Sequence, residues 1–144
     1  MERLQILRVI DLLKQTAVAY DEAVKAGAHA AGITKQEADV LAYLANHAPP
    51  LTAQQVARGR GFSKAYVSKA VDRLMRRGFV TAEPGSDRRT LLLRLTPGAG
   101  DTVARILATQ AAFFDGLLHG VTPAQHRACD AALARMEDNL RRMR

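Results

Sequence analysis

The 144-residue chain has no tryptophan, one cysteine and only 5% aromatic residues. A single cysteine excludes an internal disulfide and suits a reducing compartment. With so few rings, the core must come from Leu, Val, Ile and Ala, and such a composition favours helix. No run of about 18 apolar residues is present, so no membrane span is expected. The opening stretch MERLQILRVID mixes acids with bases and has no apolar signal core, so a cytoplasmic protein is the expectation. Catalytic signatures are also missing. There is no glycine-rich phosphate loop, no HExxH pair and no spaced Cys/His cluster. No enzyme activity, cofactor or metal is expected. The length suits one domain with an adequate core.

What the chain has is unevenly placed positive charge. Between Leu51 and Arg94 stand Arg58, Arg60, Lys64, Lys69, Arg73, Arg76, Arg77, Arg88, Arg89 and Arg94, against Asp72, Glu83 and Asp87. Ten bases and three acids give +7. The whole chain, with 21 bases and 14 acids, is also +7, so the remainder balances at 11 of each. An electrostatic footprint for phosphate concentrates charge this way; a solvated face usually does not.

The same stretch has a recognisable order. Thr52 and Gln55 form a capping box for a short helix. Gly59 and Gly61 are expected to break it and allow a tight turn. Ser63 is placed to cap a second helix, in which Val67, Val71 and Leu74 make one apolar face. Gly78 ends that helix after basic residues that suit its dipole. FVTAE and TLLLRL then read as strands, joined by the turn PGSDRR. Two helices followed by a hairpin predict a winged helix-turn-helix, with the second helix the one that enters a major groove. A hairpin alone is marginal and must pack on the helices or on DNA.

The flanks read as helical. From Glu2 to about Ala28, Leu4, Leu7, Ile10, Leu13, Ala17, Tyr20 and Val24 recur at three and four, while Ile6, Val9 and Leu12 widen the apolar surface. Gly27 and Gly32 are expected to frame a loop. Thr34 to Asn46 is a second helix with a Thr34/Glu37 capping box and a buried face of Val40, Leu41 and Leu44. Thr96-Pro97 starts a helix to about His119, with Thr96 as cap and Pro97 in the first turn. Thr122-Pro123, with Gln125, starts the last helix, which carries Ala128, Ala131, Ala132, Met136 and Leu140. Both ends have more apolar surface than a small lobe can cover, which predicts burial against a second chain. The expected fold is mainly α with a small β-hairpin wing. It is one domain over 1–144, with a winged lobe at 34–95 and a helical dimerisation layer from 1–32 and 97–144.

The run VSKAVDRLMRRGFVTAEPGSDRRTLLLRLTPGAG resembles the MarR family of winged helix-turn-helix transcriptional regulators. The carriers are Val67, Ser68, Val71, Asp72, Leu74 and Gly78, then Asp87-Arg88-Arg89, then Leu95-Thr96-Pro97 and Gly100. Their order and spacing together are specific, and the likeness extends over almost the whole chain. The resemblance implies a symmetric homodimer with interlocked terminal helices. Each protomer would place one helix in the major groove and a wing in the minor groove. It also implies a repressor released by a small aromatic or phenolic ligand, bound between the dimer layer and the winged lobe.

Candidate contacts follow. Ser63, Lys64, Ala65, Tyr66, Ser68 and Lys69 fill the first two turns of the second motif helix, away from its apolar face. Lys can bond guanine edges or phosphate, Ser either, and Tyr and Ala can touch a thymine methyl. The plainer alternative is a solvated basic face with Tyr66 half-buried. Arg88 and Arg89 sit at the wing tip, where a narrow minor groove attracts arginine. The resemblance makes Arg89 the inserting residue, held by Asp87 through a charge-assisted hydrogen bond. Alternatively Asp87 only stabilises the turn. Arg73 is placed ahead of Arg76 and Arg77 as a phosphate contact, since the latter two suit the helix C-terminus. Thr52 and Gln54 can donate to phosphate, although Thr52 is equally a plain cap. His126 and Cys129 share a helix face, but two ligands are too few for a closed metal site. Cys129 is expected to be a buried or half-exposed structural thiol. Double-stranded DNA and a second copy of the chain are therefore the expected partners. The competing classes are a winged protein-interaction module and a nonspecific architectural DNA-binding protein.

Overall fold

The computed structural model describes residues 3–87 and 89–144, with side chains from Gln5 onward. Glu2, the Leu4 side chain and the wing-tip Arg88 lie outside the described residues. The elements in order are α1 (Arg3–Ala30), α2 (Lys35–Asn46), β1 (Leu51–Thr52), α3 (Ala53–Arg60), α4 (Lys64–Arg76), β2 (Val80–Pro84) and β3 (Leu91–Leu95). A 3-10 turn at Pro97–Ala99 leads into α5 (Gly100–Leu117), and α6 (Pro123–Arg142) closes the chain.

Local chemistry sets most of these boundaries. Thr34, Thr52 and Thr122 each accept the backbone N–H three residues on, and Glu37, Gln55 and Gln125 answer with their side chains to the cap N–H, so three complete capping boxes form. Ser63 accepts from the Tyr66 N–H at the start of α4. Gly61 and Gly78 take the left-handed conformation that ends α3 and α4, with φ of 68° and 73°.

Several expectations are corrected. Gly27 lies inside α1, with Thr109 packed against it so closely that a Cβ would overlap that side chain. Gly59 likewise lies inside α3, beneath the ring and hydroxyl of Tyr43, and only Gly61 ends the helix. Thr96 does not cap with its side chain. Its hydroxyl instead donates to the Gly78 carbonyl at 2.5 Å, tying the end of α4 to the exit of the hairpin. The sheet has three strands rather than two. It is antiparallel in the order β1-β3-β2, with Leu51 opposite Leu93 and Ala82 also opposite Leu93. The third strand answers the hairpin's marginal stability by pairing it with the chain ahead of α3.

The chain forms two compact units, one up to Phe113 and one from Phe114 onward. The core of the first unit gathers Val24 and Ala28 of α1, Val40, Leu41 and Leu44 of α2, Val56 of α3, Val67, Val71 and Leu74 of α4, Val80 and Leu93 of the sheet, and Ile106 of α5. The second unit holds α6, which has no buried residue. Cys129 is therefore exposed, not buried or half-exposed as expected. Large apolar side chains stand exposed on α1 (Ile6, Leu7, Leu12, Leu13, Val18) and on α6 (Leu133, Met136, Leu140). Among the described residues no helix is long and apolar enough to cross a membrane.

Candidate nucleic-acid interface

Helix α4 divides its residues cleanly. Val67, Ala70, Val71 and Leu74 are buried. Lys64, Ala65, Ser68, Lys69, Asp72 and Arg76 are exposed, so four of the expected contacts lie on the open side of the helix. The 3.6-residue period does this: once the apolar residues face the core, the rest point outward. Ser63 uses one lone pair for the cap, which leaves its hydroxyl proton free to donate.

A third set of α4 residues points toward α2. Tyr66 donates its hydroxyl to Oδ2 of Asp39 at 2.6 Å. Arg73 donates to Oε1 of Gln36 at 3.3 Å, and Arg77 places Nε 3.0 Å from Oε1 of Glu37. Tyr66, Arg73 and Arg77 are seven and four residues apart, so they share a stripe along the edge of the apolar face. Tyr66 is half-buried, as its plainer alternative had it. Arg73, the favoured phosphate contact, is half-buried beside α2, while Arg76 is exposed.

Around Asp39 a charged cluster forms. Its carboxylate is 5% exposed and also receives Nζ of Lys35 at 2.7 Å. Lys35 reaches Oδ1 of Asp21 on α1 at 3.1 Å. Burial and the bond to the Asp39 carboxylate together push the Tyr66 phenol up to about 12. Burial pulls the Lys35 ammonium down, but the hydrogen bond and charge of Asp39 and the hydrogen bond to Asp21 outweigh it and the net shift is upward.

At the wing, Asp87 accepts the Arg89 backbone N–H at 3.1 Å, and the Thr90 N–H bonds the Asp87 carbonyl at 2.9 Å. This is the turn-stabilising role. The bond comes from the Arg89 amide, and among the described residues the exposed Arg89 guanidinium has no ion pair. Lower on the hairpin, Arg94 and Glu83 face each other across the strands at 4.0 Å. At the start of α3, Thr52 is a cap and Gln54 is exposed. Arg60, at the end of α3, lies 5.8 Å from the Tyr20 ring centre and donates to its hydroxyl at 3.4 Å.

Sequence reasoning missed Gln36, Glu37 and Asp39 as partners of Arg73, Arg77 and Tyr66. One signal was available: Asp39 interrupts an otherwise apolar run from Ala38 to Leu44, where an acid needs a partner.

Comparison with known proteins agrees with this geometry. Residues 31–90 match the MarR family model, from the end of α1 to the wing. The transcriptional regulator PA3341 is 27% identical, with a TM-score of 0.81 over 92% of this chain and 97% of that one. The segment at residues 31–90, which holds most of the winged helix-turn-helix, is thus similar to the MarR family. A MarR-family regulator from Silicibacter pomeroyi has the same fold, at 23% identity and a TM-score of 0.81 over 89% of this chain and 86% of that one. So does a MarR regulator from Methanosarcina mazei Go1, at 14% identity and a TM-score of 0.81 over 94% of this chain and 98% of that one. No curated protein matches by sequence. The solved structures that the chain matches are those of transcriptional regulators.

Proposed function

We propose that this protein is a MarR-family regulator, a cytoplasmic repressor that binds a palindromic operator as a homodimer. The observation that carries this reading is the open face of α4. It presents Lys64, Ala65, Ser68 and Lys69 at the helix start, within the stretch that holds the chain's entire net charge. Those four residues are the groove contacts. Thr52, Gln54, Ser63 and Arg73 contact phosphate. The wing, with Asp87 shaping the turn, offers Arg88 and Arg89 to the minor groove.

The homodimer is supported by the apolar faces of α1 and α6, which a single chain leaves in water. Two copies of α4 must stand about 34 Å apart to read a palindrome in successive major grooves. Release by a small aromatic or phenolic ligand rests on the family resemblance. Such a ligand would act by binding better to a dimer with a different helix spacing.

Fluorescence anisotropy tests the reading. Palindromic DNA from upstream of the gene is titrated against scrambled DNA at two salt concentrations. Tight binding that prefers the upstream site and falls steeply with salt is expected. Equal, salt-sensitive binding to both DNAs would favour a nonspecific architectural protein. No binding to either would favour a lobe that docks protein.

A further inference from the structure

We propose that Tyr66 is a positioning residue of the recognition helix rather than a reader of bases. Its hydroxyl is held by Asp39, which is itself held by Lys35, so that Lys64, Ala65, Ser68 and Lys69 present one fixed edge. The proposal rests on the DNA-binding reading above and assigns a different job to one residue within it.

The geometry separates the two jobs. The Tyr66 hydroxyl gives its proton to Asp39 Oδ2 at 2.6 Å, a short charge-assisted bond. That oxygen also receives Lys35 Nζ at 2.7 Å, and Asp39 is almost fully buried. The Tyr66 ring lies 4.8 Å from that of Phe62, in the turn between α3 and α4. The side chain is thus fastened at its hydroxyl and flanked at its ring. To reach a base the hydroxyl would have to leave a buried carboxylate, which costs more than an exposed contact returns.

Position along α4 strengthens the point. Readout occurs at the N-terminal turns of such a helix. Arg77 ties the C-terminal end of α4 to Glu37, and Arg73 ties its middle to Gln36. Tyr66 is the corresponding tie at the N-terminal end. Without it the reading turns would be held by the apolar face alone. Through Lys35 the tie also reaches Asp21 on α1, so three helices are joined by the Asp39 carboxylate and the Lys35 ammonium.

The test uses Tyr66→Phe, Asp39→Asn and Asp39→Ala in the full chain. Affinity is measured for the preferred DNA and for a panel with each base pair changed in turn. Amide hydrogen exchange is measured without DNA. Tyr66→Phe should weaken binding about threefold to tenfold while leaving the preferred base unchanged at every position. Asp39→Ala should weaken it at least as much, and adding Tyr66→Phe to it should cost little more. Asp39→Asn keeps an acceptor and should retain part of the affinity. Exchange at residues 64–69 should quicken in Tyr66→Phe and in Asp39→Ala. If Asp39→Ala does not fold, Tyr66→Phe and Asp39→Asn give the same comparison. Loss of preference at a single base pair in Tyr66→Phe, with Asp39→Ala silent, would show a base reader and overturn the proposal. Additive losses or unchanged exchange would also overturn it. If the wild-type protein prefers no DNA site, the DNA-binding reading fails. Exchange at residues 64–69 then decides the tie by itself: quickening supports it and no change overturns it.

Discussion

Arg77 reaches back from the end of α4 to set Nε 3.0 Å from Oε1 of Glu37, a carboxylate with no exposed surface. The other carboxylate oxygen, Oε2, accepts the Thr34 N–H at 2.7 Å. One side chain therefore closes the cap of α2 and anchors the recognition helix. Arg77→Ala would strand half of a buried carboxylate, while Arg77 itself is well enough solvated to soften the effect. A loss of about 2 kcal/mol is expected. Urea unfolding should show a lower midpoint at an unchanged slope. An unmoved midpoint would mean that the pair adds nothing to stability.

Gly59 gives the opposite of the usual helix expectation. Replacing an interior helical glycine by alanine commonly stabilises, by up to about 1 kcal/mol. Here a Cβ would overlap the ring and hydroxyl of Tyr43. Tyr43 cannot easily give way, because its ring stacks on His47 at 3.8 Å between centres. Gly59→Ala should destabilise by about 1–3 kcal/mol. Adding Tyr43→Phe, which removes the nearest atom, should restore part of the loss. A higher melting temperature for Gly59→Ala would show that the ring moves aside freely.

These two cases mark what the sequence could tell. The capping boxes at Thr34, Thr52 and Thr122 are complete within four residues, and all three form where expected. The open face of α4 follows from its apolar period in the same local way. Partners of Tyr66 and Arg77 lie 27 and 40 residues away, beyond any local pattern. Gly59 and Gly61 look alike in sequence; Tyr43, sixteen positions earlier than Gly59, makes one a close contact, while the other is a left-handed cap. Strand β1 has two residues, too few for an alternation, and exists only through its pairing with Leu92 and Leu93.

At the wing tip, the Asp87 carboxylate is used by the Arg89 amide, and the guanidinium stands exposed. Arg89→Ala should therefore leave the turn intact while weakening DNA binding tenfold or more, on the order of 1.4 kcal/mol. The salt dependence should flatten by about one unit of slope. Anisotropy at several salt concentrations measures both. Unchanged affinity in the folded variant would remove Arg89 from the interface.

Leu13 is 61% exposed on α1, an unusual place for leucine unless another surface covers it. Leu13→Glu should shift the protein toward monomer in sedimentation equilibrium. A monomer presents one half-site reader, so operator affinity should fall with it. If the wild-type chain is monomeric at micromolar concentration, the dimer assignment fails.

The Tyr66–Asp39 bond also sets a pH dependence. The phenol is pushed up from 10 to about 12, by burial first and then by the neighbouring carboxylate. A group whose pKa is raised on folding binds its proton more tightly in the folded state. Its contribution to stability is therefore complete below about pH 10 and is lost as pH rises through about 12. The difference in phenolate absorbance between the wild type and Tyr66→Phe should titrate with a midpoint near 12. Over that interval the wild type should lose its stability advantage over Tyr66→Phe, while at neutral pH the advantage stays constant. A midpoint near 10 would mean that the hydroxyl is free of Asp39 in solution, and the tie between α2 and the start of α4 would not exist.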